Sequence, residues 1–186
     1  MAITAEEANG VLSRAECLFD DQAVQTVIDQ MAEKITCDLG DKNPLVICVL
    51  TGGIIITSEL LKRLNFPLDV DYLHASRYGE KIVGETLHWH ARPKKPLEGR
   101  HVLIVDDILD MGLTLAQVVE YCKAQNAKDV RTAVLADKAN GQQKGMDKAD
   151  YTGLELPDRY VFGYGMDYKL YWRNLTGIYA ASKDDE

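Results

Sequence analysis

Apolar runs alternate with amphipathic stretches along most of the chain, and this alternation predicts an α/β fold. Residues 45–50 form a wholly apolar run with several β-branched side chains, which is typical of a strand buried on both faces. Upstream of that run, apolar side chains recur at helical spacing after Asp20, so we predict a helix that ends at Gly40. A tight turn at residues 51–53 then leads into a second predicted helix over residues 54–64.

The same alternation continues through the rest of the chain. Further strands are predicted over residues 68–75, 101–106, 130–136, 159–163 and 177–181. A polar stretch at residues 76–99 contains glycines and prolines, and its length is typical of a hairpin or a lid. A loop over residues 107–113 precedes a helix that we expect Thr114 to cap. Strands alternating with helices indicate a doubly wound, mostly parallel sheet flanked by helices, with residues 1–186 as a single domain.

Composition and charge limit the kinds of molecule that the protein is expected to bind. The 186 residues are 46% hydrophobic and 27% charged, as expected for a soluble globular protein whose core needs no disulfide or metal. The 21 basic and 29 acidic side chains give a formal net charge of -8, which argues against binding to nucleic acid or to an anionic membrane. A small phosphorylated ligand is compatible with this charge, because one pocket lined by backbone N–H groups is enough to bind it.

The cysteines and the chain ends point to a reducing compartment. Four widely spaced cysteines form no CxxC pair, so neither a zinc knuckle nor a disulfide framework is expected. The first ten residues lack the apolar core of a signal peptide, and no apolar run reaches the roughly 20 residues that span a bilayer. We therefore expect a cytoplasmic protein. Residues 183–186 are charged, and we expect them to be frayed.

Residues 102–114 carry the strongest chemical signal in the chain. An apolar strand ends in Asp106 and Asp107, and a turn with Asp110 and Gly112 follows before a helix. Backbone N–H groups at the N-terminus of a helix form a cradle for phosphate. The paired carboxylates suit ribose hydroxyls or Mg²⁺, and the third suits general acid–base chemistry. Each carboxylate taken alone is better explained as a helix cap, whereas the whole string favours a ligand site.

This string resembles the phosphoribosyl pyrophosphate (PRPP) motif of type I phosphoribosyltransferases. The chain as a whole is similar to the hypoxanthine-guanine members of that family, because four further segments follow their order. Those segments are residues 50–53, residues 76–79, Asp137 with Lys138, and residues 157–168 with Arg173. Five ordered segments are more specific than any one of them. The resemblance implies the α/β fold described above, with a small hood formed by N- and C-terminal segments.

The resemblance implies binding residues for each part of PRPP. It assigns the 5′-phosphate and ribose to Asp106, Asp107, Ile108, Leu109, Asp110, Met111, Gly112, Leu113 and Thr114. It assigns pyrophosphate to Leu50, Thr51, Gly52, Gly53 and Arg173, in a loop that often contains a cis peptide bond in the family. It places Ser76, Arg77 and Tyr78 in a lid that closes the site. Met111 departs from the family pattern, which usually has threonine there, so phosphate would be bound through the backbone.

The resemblance also assigns the base, the metal and the acid–base group. The purine is expected to contact Lys138, Tyr160, Val161 and Asp167. Mg²⁺ is the implied cofactor, with Asp106, Asp107 and Asp167 as its ligands. Asp110 would act as general base or acid near purine N7. Members of the family form dimers or tetramers, so a homodimer or homotetramer is expected.

Hydrogen-bond polarity predicts the choice of base. Lys138 is a donor, which suits the 6-oxo group of hypoxanthine or guanine and mismatches the 6-amino group of adenine. The reaction that the resemblance implies is transfer of the phosphoribosyl group from PRPP to N9 of hypoxanthine or guanine, giving IMP or GMP and pyrophosphate. Two alternatives on the same fold stay open: a xanthine-preferring transferase and a non-catalytic PRPP or nucleotide sensor. A dinucleotide-binding domain is disfavoured, because residues 50–54 contain no GxGxxG turn.

Overall fold

The computed structural model describes residues 3–76, 87–138 and 145–186. In chain order, their helices and strands are α1 (Ala5–Arg14), β1 (Glu16–Phe19), α2 (Asp21–Leu39), β2 (Leu45–Leu50), α3 (Ile54–Leu61), β3 (Asp69–Ser76), β4 (His88–Ala91), β5 (His101–Leu109), α4 (Leu113–Ala124), β6 (Asp129–Lys138), β7 (Tyr151–Leu156), β8 (Val161–Phe162) and β9 (Ile178–Ala180).

A six-stranded sheet forms the centre of the molecule, with the strand order β4-β3-β2-β5-β6-β7. Neighbouring strands run parallel, except that β4 pairs antiparallel with β3 at one edge. Helices α2 and α3 pack on one face and α4 on the other, with an apolar cluster in each layer. The predicted doubly wound, mostly parallel sheet is confirmed.

Burial accounts for the elements that the pattern predicts most clearly. Strand β2 is buried from Leu45 to Val49, as expected for a strand covered on both faces. Helix α2 begins where the Asp20 carboxylate accepts a hydrogen bond from the Ala23 N–H at 2.9 Å. Its apolar stripe faces the sheet and consists of Val24, Ile28, Met31, Ala32, Ile35 and Leu39. The helix ends at Leu39, directly before the predicted stop at Gly40.

A second, three-stranded antiparallel sheet combines the two ends of the chain, in the order β1-β9-β8. Helix α1 packs against it, and the fully buried Phe162 lies in one apolar cluster with Val11 and Tyr168. The Trp172 indole N–H donates a hydrogen bond to the Ala8 carbonyl oxygen at 2.8 Å. The predicted hood of N- and C-terminal segments is therefore confirmed.

The strands that lead to the carboxyl edge of the sheet are longer than predicted. Strand β5 continues to Leu109, because Ile108 pairs with Ala136 and Leu109 pairs with Asp137. The predicted loop over residues 107–113 is therefore wrong for its first three residues. Backbone hydrogen bonds between strands do not depend on side-chain polarity, so a polarity pattern ends such strands too early.

The start of helix α4 also differs from the prediction. Gly112 is the N-cap residue and Leu113 is the first helical residue, so the expectation that Thr114 caps this helix is wrong. Gly112 has a φ of 66°, in the left-handed region that glycine adopts without steric cost. A β-carbon on it would lie 2.6 Å from the Met146 carbonyl oxygen. Glycine thus allows both the sharp turn and the close approach of a second segment.

Several elements carry no clear pattern in the sequence. Helix α1 and strands β1 and β7 were not predicted, and β4 lies inside the stretch of residues 76–99. Strand β4 pairs with β3, in agreement with the hairpin alternative for that stretch. The expectation that residues 183–186 are frayed is wrong, since Asp185 pairs with Arg14 in α1. Among the described residues, no helix is both long enough and apolar enough to cross a membrane.

The turn from Asp167 to Arg173 contains strained backbone. Leu170 has a φ of 79°, and its side chain is 77% exposed. In this left-handed region a residue with a β-carbon lowers the stability of the fold by about 1–2 kcal/mol. Glycine avoids that cost, but the greater freedom of its unfolded chain offsets about 0.5–1 kcal/mol of the gain. We therefore expect Leu170→Gly to raise the melting temperature by roughly 2 °C in calorimetry. Leu170→Ala is the control, and an equal rise in both variants would exclude backbone strain as the cause.

Candidate active site

The candidate site lies at the carboxyl ends of β2, β5 and β6, where ligands bind in doubly wound sheets. Two cavities adjoin there. The larger, about 470 Å³, is lined by Val49, Leu50, Thr51, Gly52, Ala75, Asp106, Asp107, Ile108, Leu109, Asp110, Met111, Gly112, Leu113, Thr114, Leu115, Asp167 and Arg173. The smaller, about 340 Å³, is lined by Asp107, Ile108, Asp110, Lys138, Tyr160, Val161, Met166 and Asp167. Asp107, Ile108, Asp110 and Asp167 are common to both.

A turn and a helix N-terminus form the floor of the larger cavity. All nine residues predicted to bind the 5′-phosphate and ribose, from Asp106 to Thr114, line it. The first N–H groups of α4 have no acceptors within the helix and lie at the positive end of its dipole. The Met111 carbonyl oxygen accepts a hydrogen bond from the Gly145 N–H at 2.8 Å, which holds a second segment against the turn. The arrangement can bind an anion through its backbone.

Two adjacent carboxylates form one wall of this cavity. The Asp107 N–H donates to Asp106 Oδ1 at 2.9 Å, and the Ile108 N–H donates to Asp107 Oδ1 at 2.8 Å. Burial raises the pKa of Asp106 well above its usual range, and the neighbouring carboxylate of Asp107 raises it further. Burial also raises the pKa of Asp107. Burial therefore disfavours the charged form of both carboxyl groups.

The loop after β2 forms the opposite wall. Its Leu50–Thr51 peptide bond is cis, as is common in the family that the sequence resembles. Gly52 lies against the carboxylate pair, and a β-carbon on it would be 2.0 Å from Asp107 Oδ2. Leu50, Thr51 and Gly52 line the cavity as predicted. Gly53, also predicted to bind pyrophosphate, does not line this cavity, and its N–H donates to the Val49 carbonyl oxygen at 2.9 Å.

Arg173 connects the hood to the carboxylate wall of the larger cavity. Its Nη1 donates to the Gly165 carbonyl oxygen at 2.6 Å and lies 3.8 Å from Asp107 Oδ2, while its Nη2 bonds Asp167. Asp167 also accepts a hydrogen bond from the Leu170 N–H at 2.7 Å. The guanidinium group is therefore held at the cavity edge, where it can contact an anionic ligand.

The smaller cavity combines one cation, one aromatic ring and an apolar floor. Lys138 ends strand β6, and its Nζ lies 3.3 Å from Asp158 Oδ1. Tyr160 keeps 37% of its surface exposed toward solvent, whereas Val161 is buried in β8. All four residues predicted to bind the purine, Lys138, Tyr160, Val161 and Asp167, line this cavity.

Sequence reasoning missed parts of the apolar floor. Ile108 was assigned only to the PRPP side, yet it also lines the smaller cavity. Its position between Asp107 and Asp110, which line both cavities, was the available signal. Met166 lines the same cavity and was not assigned, and nothing in the sequence distinguishes it from a core residue.

Of the predicted lid residues, the structure describes only Ser76. The Ser76 hydroxyl is hydrogen-bonded to His90 Nε2 at 2.8 Å, and Ser76 lines neither cavity. Its neighbour Ala75 does line the larger one. Arg77 and Tyr78 lie outside the described residues.

Comparison with known proteins identifies the family to which this arrangement belongs. A family model described as the phosphoribosyl transferase domain matches residues 15–169. The chain belongs to the phosphoribosyltransferase family. The predicted family resemblance is thus confirmed, and the match includes the ends of β2, β5 and β6, whereas α1 and β9 of the hood lie outside it.

Relatives of this phosphoribosyltransferase carry more specific names. It is 38% identical over 162 residues to the hypoxanthine-guanine-xanthine phosphoribosyltransferase of Tritrichomonas foetus, covering 87% of this chain and 88% of that protein. It is 35% identical over 165 residues to the hypoxanthine-guanine phosphoribosyltransferase of Bacillus subtilis, covering 87% and 89%. A hypoxanthine phosphoribosyltransferase structure from Staphylococcus aureus superposes with a TM-score of 0.87 at 27% identity, covering 98% of this chain and 97% of that one.

Proposed function

We propose that this phosphoribosyltransferase transfers the 5-phosphoribosyl group from PRPP to N9 of hypoxanthine or guanine, giving IMP or GMP and pyrophosphate. The observation that carries this proposal is the pair of adjoining cavities that share Asp107, Asp110 and Asp167. One cavity has backbone and guanidinium donors for an anion, and the other has Lys138 beside an exposed aromatic ring. The names of the relatives, which act on these bases, support the same reaction.

The reaction places different demands on the two cavities. Displacing pyrophosphate from the anomeric carbon builds negative charge on the leaving group, which N–H groups of the loop after β2 and Arg173 can stabilise. The N-terminus of α4 would hold the 5′-phosphate at a fixed distance from that carbon. Asp110 lies where the cavities meet, so its carboxylate can exchange a proton with purine N7 as N9 attacks.

Mg²⁺ is the cofactor that we assign to this site. Among the described residues, no three His, Cys, Asp or Glu side chains form a closed metal cage. Mg²⁺ fits nevertheless, because it commonly binds one or two carboxylates together with substrate phosphates and water. Asp106 and Asp107 are the adjacent carboxylates that line the larger cavity, and Asp167, which lines both cavities, would serve a second ion. When bound, Mg²⁺ would neutralise charge on the pyrophosphate.

Base selection in this proposal follows from Lys138. Its ammonium group only donates hydrogen bonds, so it matches a 6-oxo oxygen and leaves the 6-amino group of adenine without an acceptor. Tyr160 would stack on the base, and the Val161 backbone would bond its Watson–Crick edge. Xanthine differs from guanine only at the 2-position, so it is the second base to test; the relative from Tritrichomonas foetus includes xanthine in its name.

We also propose the wider setting of the enzyme. Residues 1–186 would act as one domain in the cytoplasm, where the four free cysteines stay reduced. A homodimer or homotetramer is supported by Val70 and Tyr72, which share one face of β3 and remain 43% and 41% exposed. The net charge of -8 supports neither nucleic acid nor membrane as a partner.

The proposal predicts a defined pattern of base turnover. With PRPP and Mg²⁺ in a spectrophotometric assay, hypoxanthine and guanine should be converted, and adenine should be converted at less than about one hundredth of their rate. Chelating Mg²⁺ with EDTA should abolish turnover. Comparable conversion of adenine would refute the role of Lys138. Conversion of xanthine alone would favour the xanthine-preferring alternative, and PRPP binding without any turnover would favour the sensor.

A further inference from the structure

Residues 181–186 hold the backbone of Tyr160, the residue proposed to stack on the purine. The Ala181 N–H donates a hydrogen bond to the Tyr160 carbonyl oxygen at 2.8 Å. On the other side, the Tyr160 N–H donates to Glu186 Oε1 at 3.3 Å. Both polar backbone groups of Tyr160 are thus bonded to a segment more than 20 residues later in the chain.

The same segment also fixes the ring of Tyr160 through a second tyrosine. The rings of Tyr160 and Tyr168 meet edge to face, with their centroids 5.1 Å apart. Tyr168 is only 2% exposed, and its hydroxyl donates a hydrogen bond to the Asp185 carbonyl oxygen at 2.6 Å. The orientation of the exposed ring therefore depends on a buried ring that Asp185 holds in place.

Asp185 is itself anchored to the opposite end of the chain. Its carboxylate accepts hydrogen bonds from Arg14 Nε at 3.0 Å, from Arg14 Nη2 at 2.6 Å and from the Ser182 hydroxyl at 2.5 Å. Such a bidentate pairing fixes the orientation of the carboxylate better than a single hydrogen bond does. The Asp185 side chain is only 12% exposed, and the Arg14 guanidinium, with Ser182, lowers the pKa of Asp185 to about 2. The carboxylate is therefore charged throughout the neutral range.

We propose that Asp185 is a positioning residue for purine binding, acting through Tyr168 on the ring of Tyr160. This role rests on the proposed function, since it concerns the stacking residue of that site. A ring that is already oriented loses less rotational freedom when the base binds, and binding is correspondingly tighter. Asp185 touches neither cavity, so its effect should be confined to the base.

The test is a comparison of steady-state constants for both substrates in Asp185→Asn. We expect the KM for hypoxanthine to rise roughly 3- to 10-fold, with the KM for PRPP and kcat within two-fold of wild type. Arg14→Ala should give the same change, and the double variant should be no worse than either single one, because both remove one pairing. Tyr168→Phe keeps the ring but removes the hydroxyl, so it should shift the KM in the same direction even if Asp185→Asn folds poorly.

Asp38→Asn is the matched control. The Asp38 carboxylate also pairs with an arginine, Arg131, at 2.6 Å and accepts a hydrogen bond from the Tyr151 hydroxyl at 2.8 Å. These contacts lie near the amino ends of β6 and β7, away from the candidate site. Asp38→Asn should therefore leave the KM for hypoxanthine unchanged. The role of Asp185 is overturned if Asp185→Asn leaves that KM unchanged, or if it raises both KM values equally, as general destabilisation would. A wild type that converts no base would overturn the proposed function as well.

Discussion

Replacing Asp110 with asparagine is expected to lower kcat by about 100- to 10,000-fold, the range that a positioned acid or base contributes. Asparagine has the same shape and can still accept a hydrogen bond, but it cannot take up or release the proton. Asp110 lies where the phosphate cavity and the base cavity meet, so the loss should fall on the chemical step. Single-turnover kinetics, together with calorimetric titration of PRPP, would separate that step from binding.

The matched control for Asp110→Asn is Glu120→Gln. Glu120 lies on α4, and its side chain is 72% exposed, away from both cavities. It should keep the wild-type kcat and PRPP affinity. Turnover of Asp110→Asn within a few-fold of wild type would refute the acid–base role, and loss of PRPP affinity with unchanged single-turnover rate would reassign Asp110 to phosphate binding.

The Asp106→Asn, Asp107→Asn double variant is expected to lose at least about 100-fold in PRPP affinity. A hydrogen bond to a charged group contributes about 1.5–3 kcal/mol, so weakening two of them is a loss of this size or more. Calorimetric titration with PRPP in the presence of Mg²⁺ would measure the change. Each asparagine oxygen can still accept from the backbone N–H groups that the carboxylates now bond.

The same double variant should be more stable than wild type in the absence of ligand. A raised pKa means that the folded state binds the proton more tightly, so the ionised pair destabilises the fold at neutral pH and this penalty fades as the pH falls. Asparagine removes the penalty, and calorimetry should show a higher melting temperature. Had the carboxylates served only as structural caps, stability would instead fall while PRPP affinity stayed unchanged.

Sequence reasoning predicted best the elements whose own residues show a clear apolar or turn pattern. The apolar run of β2 and the stripe of α2 are periodic, and both elements lie where predicted. The string from Asp106 to Thr114 combines strand, turn and helix signals within a few residues, and all of it lines one cavity. Such patterns can be recognised in the sequence because they depend only on residues that are close together in the chain.

Long-range pairings account for most of what could not be predicted. Residues 183–186 have the composition of a solvated tail, yet Asp185 is bonded to Arg14, at the other end of the chain. Lys138 meets Asp158 only because the strand end and a later loop converge. Gly53 was also predicted to bind pyrophosphate, but its N–H donates to the Val49 carbonyl oxygen in the turn that starts α3. The long-range partners of Asp185 and Lys138 are not visible in the order of residues.

Because β1 pairs with β9 in the hood, the purine cavity depends on contacts between residues much farther apart in sequence than those that form the phosphate cavity. That pairing joins Glu16 to Ala180, whereas the sheet around the phosphate cavity is built from strands that follow one another more closely. Closing a longer loop costs more chain entropy, and contacts of high sequence separation form late. We therefore expect the cradle for the sugar phosphate to form first, and the purine pocket to be completed only when the two ends of the chain pair.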